Sequence, residues 1–168
     1  MISSVRSLMK LEVRDKERVD INAIIQDTVS LFDPEAIQKR IKINIQVNKK
    51  PVFVFGDKIQ LQQVLLNLLY NAAHAMESND PDNRTIYITQ LIDKGSVTLS
   101  VRDTGEGIEE ELKENLFNTF VTSRKAGLGI GLAVSRTIIV NHEGEIWASN
   151  VPGGGAEFSF RLKIIANE

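Results

Sequence analysis

Cysteine is absent from the 168 residues. That excludes disulfide frameworks, thiolate metal sites and cysteine nucleophiles, and it suits a reducing compartment. An excess of charge of one sign is also lacking: 20 Lys and Arg face 22 Asp and Glu, for a net charge of −2. No basic field invites nucleic acid or an anionic membrane surface. The N-terminus shows no apolar h-region of a secretory signal. Long apolar runs are missing too. The longest charge-free stretch, Ile59 to Met76, carries Gln, Asn and His at intervals, so it reads as a buried amphipathic helix and not a membrane span. There are no internal repeats and no low-complexity segments.

What is present is ordinary for a globular chain, 42% hydrophobic and 25% charged. The length suits one domain with a substantial core. Ile2, Val5, Leu8, Met9 and Leu11 recur at roughly helical spacing, and the chain starts as if inside a helix. Arg14 to Arg18 suits a joint, and Val19-Asp20-Ile21 a short strand. Asn22 is the expected N-cap of a helix running to about Arg40, kinked or broken at Pro34. Its apolar positions are Ala23, Ile24, Val29, Leu31, Phe32, Ala36 and Ile37. Ile41 to Val47 alternates strictly and predicts a strand, followed by a second one over Val52 to Phe55. Asp57 caps a helix from Lys58 to about Glu77. Thr85 to Ile92 and Ser96 to Val101 form a hairpin through Asp93-Lys94-Gly95. A short acidic helix covers Glu109 to Leu116, and a helix covers Leu132 to Asn141. Two last strands, Glu145 to Ser149 and Ala156 to Leu162, are joined through Pro152 to Gly155. The expected fold class is α+β: a two-layer sandwich, with a mixed sheet of about five strands on about three helices.

Three stretches carry candidate chemistry. Asp103-Thr104-Gly105-Glu106-Gly107-Ile108 follows a strand, so Asp103 stands where the strand ends and a Gly-x-Gly turn begins. A carboxylate there can accept from an exocyclic amine such as that of adenine; alone, it reads more readily as a plain strand turn that binds nothing. On the second helix Gln60, Gln63, Asn67, Asn71 and His74 step by three or four residues and form an uncharged polar stripe. Amide oxygens can ligate Mg²⁺ shared with substrate phosphates; the alternative is a set of buried amides capping loops. Arg124-Lys125 precede Gly127-Leu128-Gly129-Ile130-Gly131-Leu132, which feeds a helix. Free backbone N–H groups and the helix dipole favour phosphate there, and a flexible lid is the other reading. The stretch is neither a P-loop nor a Rossmann turn, since it lacks Gly-Lys-Ser/Thr and no strand directly precedes it.

Taken in order, these stretches resemble a known family. Asn67…Asn71 resembles the N box, Asp103 to Ile108 the first glycine box, and Phe117-Asn118-Thr119-Phe120 the F box. Gly127 to Leu132 resembles the second glycine box and Gly153 to Phe158 the third. The match is to the catalytic, ATP-binding domain of sensor histidine kinases, within the gyrase, heat-shock chaperone, histidine kinase and mismatch-repair superfamily. Gln62 to Leu68 and Phe120 to Arg124 are similar to the nitrogen- and oxygen-regulation type.

The resemblance implies a Bergerat-type ATP-binding fold over residues 19–168. Residues 1–18 would then be the end of the dimerisation and phosphoacceptor helix with its linker. It implies ATP and Mg²⁺ as ligands, with Asn71 on the metal and Asn67 as its polar partner. His74 would reach the phosphates, and Asp103 would accept from the adenine amine. Gly105 and Gly107 would let the base approach, with Ile108 against its face. Arg124 or Lys125 would contact the γ-phosphate, with Asn67, Asn71 and Arg124 as the catalytic set. Backbone around Gly127, Gly129, Gly131 and Leu132 would cradle the phosphates, and Ala156 stands in the third box where Thr is common.

The phosphoacceptor motif, His-Glu followed by Pro-Leu, is missing: His142-Glu143 continues into Gly144-Glu145-Ile146-Trp147. Glu143 also separates His142 from Gly144, where the family often has His-Gly-Gly; that site reads as structural. The implied function is transfer of the ATP γ-phosphate to a histidine on a separate domain of the parent kinase, which acts as a cytoplasmic or membrane-anchored homodimer and passes phosphate to a response regulator. Neither nucleic acid nor membrane is an expected partner of this domain. The alternatives are an ATPase of the same superfamily, a nucleotide-binding module without catalysis, and an anti-sigma serine kinase. The ATPases carry a Glu one turn before the metal Asn, where this chain has Asn67.

Overall fold

A computed structural model describes residues 15–118 and 131–166. The expectations for Met1 to Val13, for Thr119 and Phe120, and for Arg124, Lys125, Gly127 and Gly129 lie outside the described residues.

Strand β1 (Glu17–Asp20) leads into helix α1 (Ile21–Gln38), then strands β2 (Lys42–Gln46) and β3 (Phe53–Gly56). Helix α2 (Lys58–Ala75), the hairpin β4 (Thr85–Asp93) and β5 (Ser96–Arg102), helix α3 (Gly131–Asn141), and strands β6 (Glu145–Asn150) and β7 (Ala156–Lys163) follow. The five-stranded sheet has the order β2-β4-β5-β7-β6, and β1 and β3 form a separate two-stranded antiparallel ribbon. β2 runs parallel to β4 while the other pairs of the large sheet are antiparallel. The mixed sheet and the α+β class are thus as expected, and the ribbon is additional. Its first strand begins at Glu17, two residues before the short strand expected from Val19.

The core lies between one face of the large sheet and the helices. Ile86, Ile88, Val97, Leu99, Val101, Phe158, Phe160 and Leu162 face Ile25, Phe32, Leu61, Leu65, Leu68, Leu69 and Ile138, all buried. Each such side chain contributes about 1.5–3 kcal/mol on leaving water. The strict alternation of β5 produces this: Val97, Leu99 and Val101 point inward while Thr98, Ser100 and Arg102 point out.

Helix α1 departs from expectation in three ways. Asp20, not Asn22, is its N-cap, its Oδ1 accepting from Asn22 N at 2.9 Å. The Asn22 amide donates to the carbonyls of Asn48 and Lys50 and accepts from Gln90, fastening the β2–β3 loop. The helix also runs unbroken through Pro34. Pro34 and Ser30, whose carbonyl loses its helix partner, are both exposed, so that carbonyl lies on the solvent side while Phe32 and Ala36 stay packed. Third, Leu31 and Ile37 are 62% and 77% exposed; the buried stripe is Ile21, Ile24, Ile25, Thr28, Phe32 and Ala36. The helix ends at Gln38 and Arg40 turns left-handed, at φ 55°. The expected short acidic helix is present as a 3-10 helix over Glu110–Asn115.

α2 is the central helix. Asp57 caps it as expected, Oδ1 accepting from Ile59 N and Gln60 N at 3.0 and 3.2 Å. Asp57 N in turn donates to Nε2 of His142 at 3.0 Å, and Nδ1 of that buried ring meets the Ile138 carbonyl at 2.7 Å. An Nδ1–H imidazole satisfies both partners, so His142 ties the end of α3 to the start of α2. At the other end Arg84 donates to the carbonyls of Lys39, Glu77 and Asn79, stapling the C-termini of α1 and α2.

Burial holds the His142 pKa below its ordinary value of 6.5, and the nearby Lys16 charge lowers it further; the Ile138 carbonyl and Asp57 pull the other way. The folded imidazole therefore stays neutral where the unfolded one takes up a proton. This contribution to stability is complete above about pH 6.5 and is lost as pH falls from there toward the depressed folded pKa. Urea unfolding of the wild type should weaken between pH 7.5 and 5 more than that of His142→Gln, which keeps an acceptor for Asp57 N; parallel pH profiles would refute the assignment.

Candidate functional site

The site is built where β5 stops. Asp103 is 1% exposed. Its backbone N donates to Ala156 O at 2.9 Å, one step past the ladder in which Arg102 pairs with Glu157. Its side-chain Oδ1 accepts from Gly105 N at 2.9 Å and Ala156 N at 3.2 Å. Asp103 thus caps its own turn and joins it to the first residue of β7. No side chain fits at Gly105, where a Cβ would overlap the Ala75 carbonyl at the end of α2.

A pocket of about 80 Å³ opens beside this turn, between the C-terminal half of α2, the 3-10 helix and the start of α3. Asn71, His74, Asp103, Gly107, Ile108, Leu132 and Ala156 line it. Seven residues singled out in the sequence, spread over 86 positions from Asn71 to Ala156, are therefore brought together. Asn71 and His74 are half-buried, one turn apart on the polar stripe. His74 Nδ1 meets the Tyr70 carbonyl at 2.8 Å, and Nε2 stands 3.9 Å from Glu77.

Gly105, Asn67 and Gly131 lie beside the pocket and do not line it. The Asn67 Nδ2 donates to Gly131 O at 3.2 Å and to Ser135 Oγ at 3.3 Å. The amide that the sequence pairs with Asn71 is thus spent on holding the first turn of α3 against α2. Arg124, Lys125, Gly127 and Gly129 are outside the described residues.

Ala75, Glu109, Leu112 and Leu116, to which sequence reasoning assigned nothing, also line the pocket, as do Glu106 and Phe158, which it placed in the first and third glycine boxes without a role. Leu112 and Leu116 sit four residues apart in an otherwise polar segment, a helical-face signal that was there to read. Phe158 packs edge-on against Phe117 of the F box, with ring centroids 6.4 Å apart. Supporting amides were not legible at all. Asn79 Nδ2 donates to Thr104 O at 2.7 Å, and Asn150 brackets the Ile108 peptide from the other side.

Chemically, the pocket combines an anchored carboxylate with apolar walls from Ile108, Leu112, Leu116, Leu132 and Phe158, and it turns polar at Asn71 and His74. That is the arrangement for a flat heteroaromatic group with a polar extension.

The family signature described as histidine kinase-, DNA gyrase B- and HSP90-like ATPase covers residues 56–165. The sensor histidine kinase TmoS of Ectopseudomonas mendocina is 32% identical over 98% of this chain, and the sensor protein FixL of Bradyrhizobium diazoefficiens is 31% identical over 96%. This chain spans only 17% and 32% of their lengths. Among solved structures, the nucleotide-free catalytic domain of the histidine kinase ThkA superposes with a TM-score of 0.79 at 31% identity, covering 89% of this chain and 96% of that one. ThkA in complex with the response regulator protein TrrA superposes with a TM-score of 0.81 at 28% identity, covering 98% of this chain and 46% of that one. The chain belongs to the histidine kinase-, DNA gyrase B- and HSP90-like ATPase family, and within it to the ATP-binding catalytic domains of sensor histidine kinases.

The joint between Asp103 and the third glycine box is testable as packing. Gly155 has φ +87°, and a Cβ there would overlap the Asp103 carbonyl; Gly153, at φ +92°, has nothing within 4 Å. Gly155→Ala should cost roughly 2–4 kcal/mol, combining left-handed strain with overpacking. Gly153→Ala should cost only the strain, about 1–2 kcal/mol. Equal losses in urea unfolding would show that the close approach does not matter.

Proposed function

We propose that this domain binds Mg-ATP in the pocket at the end of β5 and delivers the γ-phosphate to a histidine on a separate dimerisation and phosphoacceptor domain of its parent kinase. The observation that carries this is the shared pocket: a buried carboxylate from a strand end faces the same space as amide and imidazole groups on α2, with apolar walls between them.

In this reading Asp103 accepts from the adenine 6-amine, with Ile108 against the ring and Ala156 beside it. Anchoring of Oδ1 by two backbone amides holds the carboxylate in place before the base arrives. Asn71 and His74 lie toward the phosphates. The donors suit Mg²⁺ shared with substrate: Asn71 offers one hard amide oxygen, and among the described residues no group of three or more His, Cys, Asp or Glu could hold a metal unaided. Mg²⁺ held there would supply charge neutralisation on the phosphate oxygens. Gly131 and Leu132 open α3, whose N-terminus favours anions. The cations Arg124 and Lys125 are proposed for the γ-phosphate on resemblance alone.

Hydrolysis is disfavoured by Asn67. A superfamily ATPase needs a base there to activate water, and an amide already donating to Gly131 and Ser135 is a poor one. The parent kinase is proposed to act as a cytoplasmic or membrane-anchored homodimer that phosphorylates a response regulator. No described helix is long and apolar enough to cross a membrane.

Two titrations test the site. ATP should bind more tightly than ITP by roughly 1–3 kcal/mol, because hypoxanthine sets a carbonyl against the Asp103 carboxylate. Asn71→Ala should weaken ATP binding strongly with Mg²⁺ present and little without it; equal losses would remove the metal role.

Transfer is tested separately. With ATP alone the chain should hydrolyse slowly and not label itself. Added phosphoacceptor domain from the same parent should acquire acid-labile, base-stable phosphate. Brisk hydrolysis by the chain alone would favour the ATPase reading, and binding without any transfer would favour a non-catalytic module.

A further inference from the structure

We propose that Asn150 is a positioning residue for the nucleotide base, holding Ile108 at a set distance from Asp103. The inference rests on the nucleotide reading of the pocket and adds to it a residue outside every box named above.

Asn150 is the last residue of β6, exposed and not part of the pocket lining. Its Oδ1 accepts from Ile108 N at 2.7 Å, and its Nδ2 donates to Ile108 O at 3.1 Å. Only one orientation of the amide satisfies both bonds, so the side chain grips a single residue by its donor and its acceptor together. The grip falls where regular structure offers nothing. β5 ends at Arg102, and once past Gly105 the turn reaches α2 only through a long bond, 3.4 Å, from Glu106 N to Ala75 O.

The partner of Asn150 across the ladder gives the grip its meaning. Asn150 pairs with Ala156, and Ala156 N holds Oδ1 of Asp103. One cross-strand pair at the β6–β7 turn therefore holds the first glycine box at both ends, Asp103 through Ala156 and Ile108 through Asn150. The turn between them is closed by Val151 N to Gly155 O at 2.9 Å and Gly154 N to Val151 O at 3.0 Å. In the nucleotide reading Asp103 meets the base edge and Ile108 its face, so this pair sets the width and tilt of the base slot.

Gly107 belongs to the same device. A Cβ on Gly107, at φ +86°, would stand 2.8 Å from Asn150 Oδ1. Glycine at that position makes room for the Asn150 amide as well as supplying the turn.

The test uses the chain itself, with ATP and ADP as probes, and reads affinity, melting temperature and exchange of the Ile108 amide. Asn150→Ala should weaken ATP and ADP equally, by about tenfold, because both carry the same base. The ATP-over-ITP preference should persist, since Ala156 still anchors Asp103. Ile108 N–H should lose protection while β5 and β7 keep theirs. Asn150→Asp, of the same size, should lose as much, because its second oxygen opposes the Ile108 carbonyl.

Binding of both nucleotides within about twofold of wild type would overturn the proposal. So would a loss confined to ATP, which would locate the effect at the phosphates, or a loss that tracks a fall in melting temperature. A wild-type chain that binds neither nucleotide would overturn the nucleotide reading itself, and this inference with it.

Discussion

The site depends on the junction between Asp103 and Ala156. At the end of the central strands β5 and β7, the sheet has to stop pairing without collapsing. Asp103 manages this with three bonds: its N–H to the Ala156 carbonyl, and its Oδ1 to the amides of Ala156 and Gly105. The side chain takes over where the backbone ladder ends. The two strands can then part to form a pocket while the carboxylate stays buried. A group already bound by fixed amides needs little reorganisation when a ligand arrives.

The helical layer serves the same pocket from below. α2 has a buried face of Leu61, Val64, Leu65, Leu68, Leu69 and Ala72 on the sheet, and carries Asn67, Asn71 and His74 along one side. Its ends are fixed by different chemistry: Asp57 with His142 at the start, and Arg84 at the finish. A helix pinned at both ends cannot slide, so the position of Asn71 relative to Asp103 is determined by the core and not by the loops. Asn67 extends this control to the first turn of α3.

Much of this was legible. The alternation in β5 and the charge-free amphipathic run of α2 carried their secondary structure, since burial on one face leaves a period in the sequence. The five boxes, read in order, indicated the pocket, and seven of the named residues line it. Elsewhere local rules lost to tertiary ones. Asn22 suits an N-cap by type, but Asp20 takes the role because the Asn22 amide is needed by the β2–β3 loop. Pro34 breaks helices in general; here packing at Phe32 and Ala36 carries the helix across, and the orphaned carbonyl faces water.

The sequence by itself determined which residue types are available for chemistry, and where each strand and helix must turn a face inward. Those are properties of neighbours along the chain, set by side-chain period and backbone freedom. It also determined the family, through five short motifs in a set order. Only the tertiary structure decided what each polar group is for. Asn67 and Asn71 are one turn apart and chemically identical, yet one is tied to the first turn of α3 and the other lines the pocket. Asn150 carries no signal at all until β6 and β7 pair and bring it against Ile108, 42 positions away. A hydrogen bond is decided within about 3 Å, and for residues that far apart in the chain only the packed fold determines that distance.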